Sequence, residues 1–149
     1  MGRYAVAHQT PAGTNLTIIN CIGTAAILLR IYDVILGSDT APPADFATEF
    51  NITRTTAVGT GGTGLTASLL NPFGVAATGS ATGGTFSGEP TYGSNILLMI
   101  ALNQRGTFRW MAAPDGELVA TAAASNGLGL RSINSGGTPN INATIHWEE

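Results

Sequence analysis

Two histidines, His8 and His146, and a single cysteine, Cys21, bound the chemistry this chain can carry. One thiol excludes an internal disulfide, and two imidazoles beside it leave too few ligands for a Cys/His structural zinc site. Nucleophilic catalysis wants a hydroxyl on a strained elbow, and no G-x-S-x-G run occurs. Asp33, Asp39 and Asp45 fall six residues apart, whereas a calcium loop places acids two apart and closes on a glutamate. Asp33 is therefore expected to pair with an arginine or to stand at a strand end. Glu148 and Glu149 have no second acidic pair with which to build a glycosidase dyad. Gly59-Thr60-Gly61-Gly62-Thr63-Gly64 matches the dinucleotide pattern G-x-G-x-x-G letter for letter. That chemistry needs a helix N-terminus directly after the glycines and an acid about 20 residues on for the ribose. Pro72 and Gly74 cut any such helix short, and no acid follows before Glu89. The run is a flexible turn. No lysine is present for a phosphate loop.

The remaining candidates are better explained by packing. His8 shares a face with Tyr4 and Val6, as a histidine at the edge of a core would. His146 shares the polar face of the last segment with Asn142 and Thr144, a solvent or interface position. Cys21 sits in an apolar stretch with no basic neighbour, an inert buried thiol. Trp110 and Trp147 could stack on sugars, but alternation sets them beside Phe108 and Ile145 on the core side. The N-x-Thr triplets at Asn15, Asn51 and Asn142 reflect strand composition. No catalytic residue, cofactor site or metal site is expected.

The elements that carry these residues follow a period of two. Ile141, Ala143, Ile145 and Trp147 point one way, and Asn142, Thr144, His146 and Glu148 the other. Gly106, Phe108 and Trp110 oppose Thr107 and Arg109, and Phe46, Thr48, Phe50 and Ile52 oppose Glu49, Asn51, Thr53 and Thr55. Each pattern predicts a half-buried antiparallel strand. Ala25–Leu36 and Ile96–Leu102 are apolar on both faces, which suits central strands or a strand whose outer face meets another subunit. Shorter strands are predicted at Arg3–His8, Asn15–Asn20, Leu65–Leu70, Glu117–Thr121 and Leu128–Ile133. Pro114-Asp115-Gly116, with Pro setting φ and Gly accepting a positive one, is expected to join Arg105–Ala112 and Glu117–Thr121 as a hairpin. Ser125-Asn126-Gly127 and Ser135–Pro139 end the next strands, and Ala41-Pro42-Pro43 is an extended connector. The pattern predicts an all-β fold, an antiparallel sandwich or jelly roll.

At 149 residues the chain is expected to form one domain, 1–149. Of these residues 44% are hydrophobic and only 10% charged, so a core can form and disorder is excluded. The formal charge is −3 and all six basic residues are arginine, scattered along the chain. A nucleic-acid binder needs basic stripes that release counterions, so no nucleic-acid partner is expected. No membrane partner is expected either, because Arg30 and Asp33 interrupt the most apolar stretch, Leu16–Leu36. The first residues lack the apolar core of a secretory signal, which predicts synthesis in a cytoplasm. Between Arg54 and Arg105 the only charge is Glu89, and Gly59–Gly93 holds ten of the twenty glycines. That segment is expected to be a long Gly/Thr-rich loop, or an arm that orders against neighbours, unless Leu65–Leu70 forms an edge strand within it.

Three stretches carry a resemblance. They are Asn103-Gln104-Arg105-Gly106-Thr107-Phe108-Arg109-Trp110-Met111-Ala112-Ala113-Pro114-Asp115-Gly116, then Ala124-Ser125-Asn126-Gly127-Leu128-Gly129-Leu130-Arg131-Ser132, and the closing Ala143-Thr144-Ile145-His146-Trp147-Glu148-Glu149. Together, over roughly the last third of the chain, they resemble a group of small virion structural proteins of tailed double-stranded DNA bacteriophages. The resemblance implies a jelly-roll-like β-sandwich, a homo-oligomer that is commonly a trimer, and no catalytic residue or cofactor. It implies a capsid decoration, or cement, protein on the capsid exterior, bound across junctions of the major capsid protein. The alternatives are a neck or tail component and a carbohydrate-binding adhesin module. For contacts with the capsid or between subunits, the N-terminal Arg3–Gln9 strand with Arg3 and Tyr4 is expected to act. So is the Gly/Thr-rich segment, with Leu69, Leu70, Phe73, Phe86 and Tyr92 as apolar anchors and pegs.

Overall fold

The computed structural model describes residues 1–41 and 45–149; the prolines of the expected connector, Pro42 and Pro43, lie outside the described residues. Among the described residues the fold is all-β, with two antiparallel sheets of six strands each. In the first sheet β1 (Arg3–Pro11) lies beside β12 (Asn140–Glu148), which lies beside β3 (Arg30–Ser38). The short β6 (Ser68–Leu69) edges β1, while β9 (Phe108–Met111) and β10 (Leu118–Val119) both run along β3. The second sheet has the order β5 (Thr63–Leu65), β7 (Ser80–Gly83), β2 (Leu16–Ile22), β11 (Gly127–Ser135), β4 (Ala47–Ala57), β8 (Thr91–Asn103). With the short β5, β6 and β7 set aside, the chain alternates between sheets up to β4. It then stays in the second sheet for β8, crosses to the first at β9 and β10, and alternates again through β11 and β12.

The alternation of the sequence places the core. Ile141, Ala143, Ile145 and Trp147 of β12 are buried, and so are Tyr4 and Val6 of β1 and Ile31, Val34 and Leu36 of β3. From the second sheet Ile19, Cys21, Phe50, Ile52, Leu128 and Leu130 complete the same cluster. Each fully buried aliphatic or aromatic side chain contributes about 1.5–3 kcal/mol relative to exposure. The Arg54 side chain closes one end of the sandwich, its Nε donating to the Val119 carbonyl of the opposite sheet at 2.9 Å.

Four details depart from the sequence expectations, each for a physical reason. β9 and β10 do not form a hairpin with one another. Leu36 pairs with Phe108, Asp33 with Met111, Ile31 with Leu118 and Arg30 with Val119, so both strands run the same way along β3. The turn between them is a detour in one interrupted edge strand. Its positive φ falls on Asp115 (62°), and the Gly116 N–H closes the turn on the Ala113 carbonyl at 2.9 Å. Residues 25–29 precede the strand rather than joining it, and β3 begins at Arg30. Ile96–Leu102 lies not in a central strand but in β8, at the edge of its sheet.

The fourth departure concerns the Gly/Thr-rich segment. Instead of standing off as an arm, it splits the predicted Leu65–Leu70 strand between the two sheets, as β5 and β6, and adds β7 beside β2. Its last part folds over the outer face of the second sheet. There Tyr92 Oη and Thr17 Oγ1 lie 2.7 Å apart, and the Glu89 carboxylate accepts from the Thr17 N–H at 3.0 Å and from the Thr17 hydroxyl. The Arg131 guanidinium stacks 4.1 Å from the Tyr92 ring centroid and donates to Asn51 Oδ1 at 3.1 Å. Under this cover Asn20, Asn51, Thr53 and Thr55 are buried, although alternation alone predicts a solvated face for the β4 residues. Thr55 Oγ1 donates to Asn20 Oδ1 at 3.0 Å, as buried polar groups require.

Candidate functional site

The expected contact residues fall into two groups. Arg3, Leu69 and Leu70 meet where β6 adds to β1: Tyr4 pairs with Leu69, and the Leu70 N–H donates to the Arg3 carbonyl at 3.0 Å. Asn71-Pro72-Phe73-Gly74 then turns sharply outward. The Gly74 N–H donates to the Asn71 carbonyl at 2.9 Å and the Phe73 N–H to Asn71 Oδ1 at 3.1 Å. The Tyr4 hydroxyl ties down the far side of the turn by donating to the Val75 carbonyl at 2.9 Å. The result is a braced tip with Phe73 94% exposed and Val75 81% exposed. Beside it lies a groove of about 390 Å³ lined by Met1, Arg3, Tyr32, Leu69, Leu70 and Gly74. Arg3 holds one wall, 5.4 Å above the Tyr32 ring and 3.4 Å from Glu148 Oε2.

Tyr4 differs from its expected role. Its side chain is buried, with its ring 5.8 Å from that of Trp147, so it braces the tip from inside rather than offering a contact. Phe86 and Tyr92 lie apart from the tip. Phe86 is half-buried and, with Thr10, Pro11, Leu16, Thr17 and Glu89, lines a hollow of about 230 Å³. Tyr92 is half-buried beneath Arg131. Val75 joins the tip without any signal in its sequence neighbourhood.

Asp33 centres a polar cluster with Arg109 and His146. It stands in mid-strand on β3, buried, and accepts from Arg109 Nε at 3.0 Å and Arg109 Nη2 at 2.7 Å. His146 Nδ1 lies 3.1 Å from its Oδ2, and the imidazole tilts against Tyr32 at 6.0 Å between centroids. The paired arginine holds the Asp33 carboxyl below its ordinary value, against the opposing effect of burial. The expected arginine partner is therefore present. Carboxylate and imidazole are arranged as in a hydrolytic triad, but among the described residues no Ser, Thr or Cys side chain hydrogen-bonds to His146. No group of three metal-ligating side chains occurs among the described residues. His8 sits against Gly83 and Gly84 at the core edge, where burial lowers its pKa and, among the described residues, its Nε2 finds no hydrogen-bond partner. Cys21 is fully buried, which pushes its thiol pKa up and away from reactivity.

Geometry thus defines an all-β sandwich that displays a braced apolar tip. Comparison with family models, with curated proteins and with solved structures finds no match.

Proposed function

We propose that this chain is a structural protein of a tailed double-stranded DNA phage virion. In that role it is a decoration, or cement, protein that binds the outer surface of the major capsid lattice as a homotrimer. Its fold, on this reading, is a jelly-roll-like sandwich. The two sheet orders, β9/β10-β3-β12-β1 and β2-β11-β4-β8, are those that two Greek keys wound together produce, which supports it. No cofactor or catalytic step belongs to the role, and assembly takes place in the host cytoplasm.

The observation that carries the reading is the Phe73 tip. Phe73, 94% exposed on a hydrogen-bonded turn, stands with Val75, 81% exposed, in one apolar tip, and such a cluster is what a docking surface for an apolar partner presents. Because the turn is already braced, little ordering entropy is lost on docking. Burying the ring contributes about 1.5–3 kcal/mol per copy, and repetition over a lattice multiplies such modest contacts into lasting attachment. A charge-poor surface lowers the desolvation cost of broad contacts.

Co-sedimentation with capsids stripped of this protein tests the proposal. The native chain should bind, and Phe73→Asp should weaken binding by tenfold or more while leaving the thermal midpoint unchanged. A native protein that never sediments with capsids sinks the reading.

A further inference from the structure

A β-sheet edge exposes a row of unpaired N–H and C=O groups, and soluble proteins blunt such edges. Among the described residues three of the four edges end in short or broken strands. β5 has three residues and β6 two, and the edge along β3 is broken into β9 and β10 by the detour at Pro114–Gly116. The fourth edge is different. β8 runs for 13 residues and, among the described residues, has β4 as its one ladder partner. Its first half is irregular, with register shifts up to Ile96 and Leu98, and irregularity of that kind protects an edge. From Leu98 to Asn103 the ladder with Ile52–Ala47 is continuous, so its free side is a regular template.

The side chains of this stretch supply no guard. Thr91–Asn103 contains no charge and no proline. Ile96 is 45% exposed and Met99 58%, on the face turned away from the core. Backbone groups of this geometry are satisfied by another strand, and the strand must be long, neutral and free on one side. Those are the properties of β8 itself. In an antiparallel pair about a two-fold axis each residue meets a residue of the same strand, so a charge would meet a like charge nearby. With no charge in β8, self-pairing meets no such repulsion.

We propose that β8 pairs antiparallel with β8 of a second copy, joining two sandwiches through a continuous sheet centred on Leu98–Asn103. This goes beyond the virion role and holds whatever particle the protein sits on. It is also distinct from the three-fold ring of that role, since a two-fold contact links two single chains or two rings.

The test uses the full chain. Light scattering at matched concentration should show that Met99→Lys with Ala101→Lys halves the mass of the native assembly, with the thermal midpoint retained. An unchanged mass overturns the proposal, as does a native protein that stays monomeric at high concentration. Should the lysine variant fail to fold, single cysteines placed in turn from Ile96 to Asn103 and mildly oxidised give an independent answer, Cys21 being buried. Covalent pairs should peak sharply at one position, where the axis crosses the strand. Equal yields everywhere, or none, overturn it. Capsid binding is a separate readout: loss of sedimentation with an intact two-fold pair counts against the virion role, not against this contact.

Discussion

Asp33 shows how one buried charge is made tolerable. A lone carboxylate in mid-sheet would be strongly disfavoured, but the exposed guanidinium of Arg109 caps both of its oxygens and His146 adds a third bond. Asp33→Asn removes the charge and keeps the shape, and is expected to cost about 1–3 kcal/mol in chemical denaturation. The pH dependence follows from the direction of the shift. The folded-state pKa lies below the ordinary 3.8, so this stabilisation is complete above that value and is lost as the pH falls through the folded one. Acid unfolding monitored by circular dichroism should accordingly begin at higher pH in Arg109→Ala than in the native protein. That Asp33 needs an arginine is legible from its apolar neighbours. Which arginine is not, because the partner arrives from 76 residues away through the register of β9 on β3.

At the scale of elements, alternation located β4, β9 and β12, because a strand with two unlike faces writes them directly into the sequence. Turn chemistry was a weaker guide. Pro114-Asp115-Gly116 marks a turn, but nothing local says whether the chain reverses or resumes along the same neighbour; the length of β3 decides that. The outer face of β4 misled for a similar reason, since its cover, Tyr92 and Arg131, comes from elsewhere in the chain. Glycines in β11 make the point testable. An added methyl at Gly127 would overlap the Cys21 carbonyl across the β2 ladder, whereas one at Gly129 would meet the movable Tyr92 ring. Gly127→Ala is expected to cost about 1–3 kcal/mol or more, as overpacking against fixed backbone does. Gly129→Ala should cost less and should chiefly loosen the cover, seen as faster amide exchange around Thr17 and Thr53.

For the whole molecule, the scarcity of charge is distributed unevenly. The nearly uncharged stretch from Arg54 to Arg105 supplies the Phe73 tip and the β8 edge, while also covering one sheet with its own tyrosine. The pairing of β1 with β12 has a further consequence, in time rather than in space. Arg3 is laddered to Glu148 and Pro11 to Asn140, and β2 is laddered to β11. β1 and β2 therefore wait for β12 and β11, more than a hundred residues on, before either sheet can close. The cost of folding is concentrated in distant chain closure, and refolding from denaturant should take milliseconds to seconds. Stopped-flow tryptophan fluorescence would follow it through the burial of Trp147, and a chain truncated before Asn140 should show no cooperative transition. During that interval β1 and β2 lack their long partners, so the yield of refolded protein is expected to fall with concentration as unfolded chains find one another first.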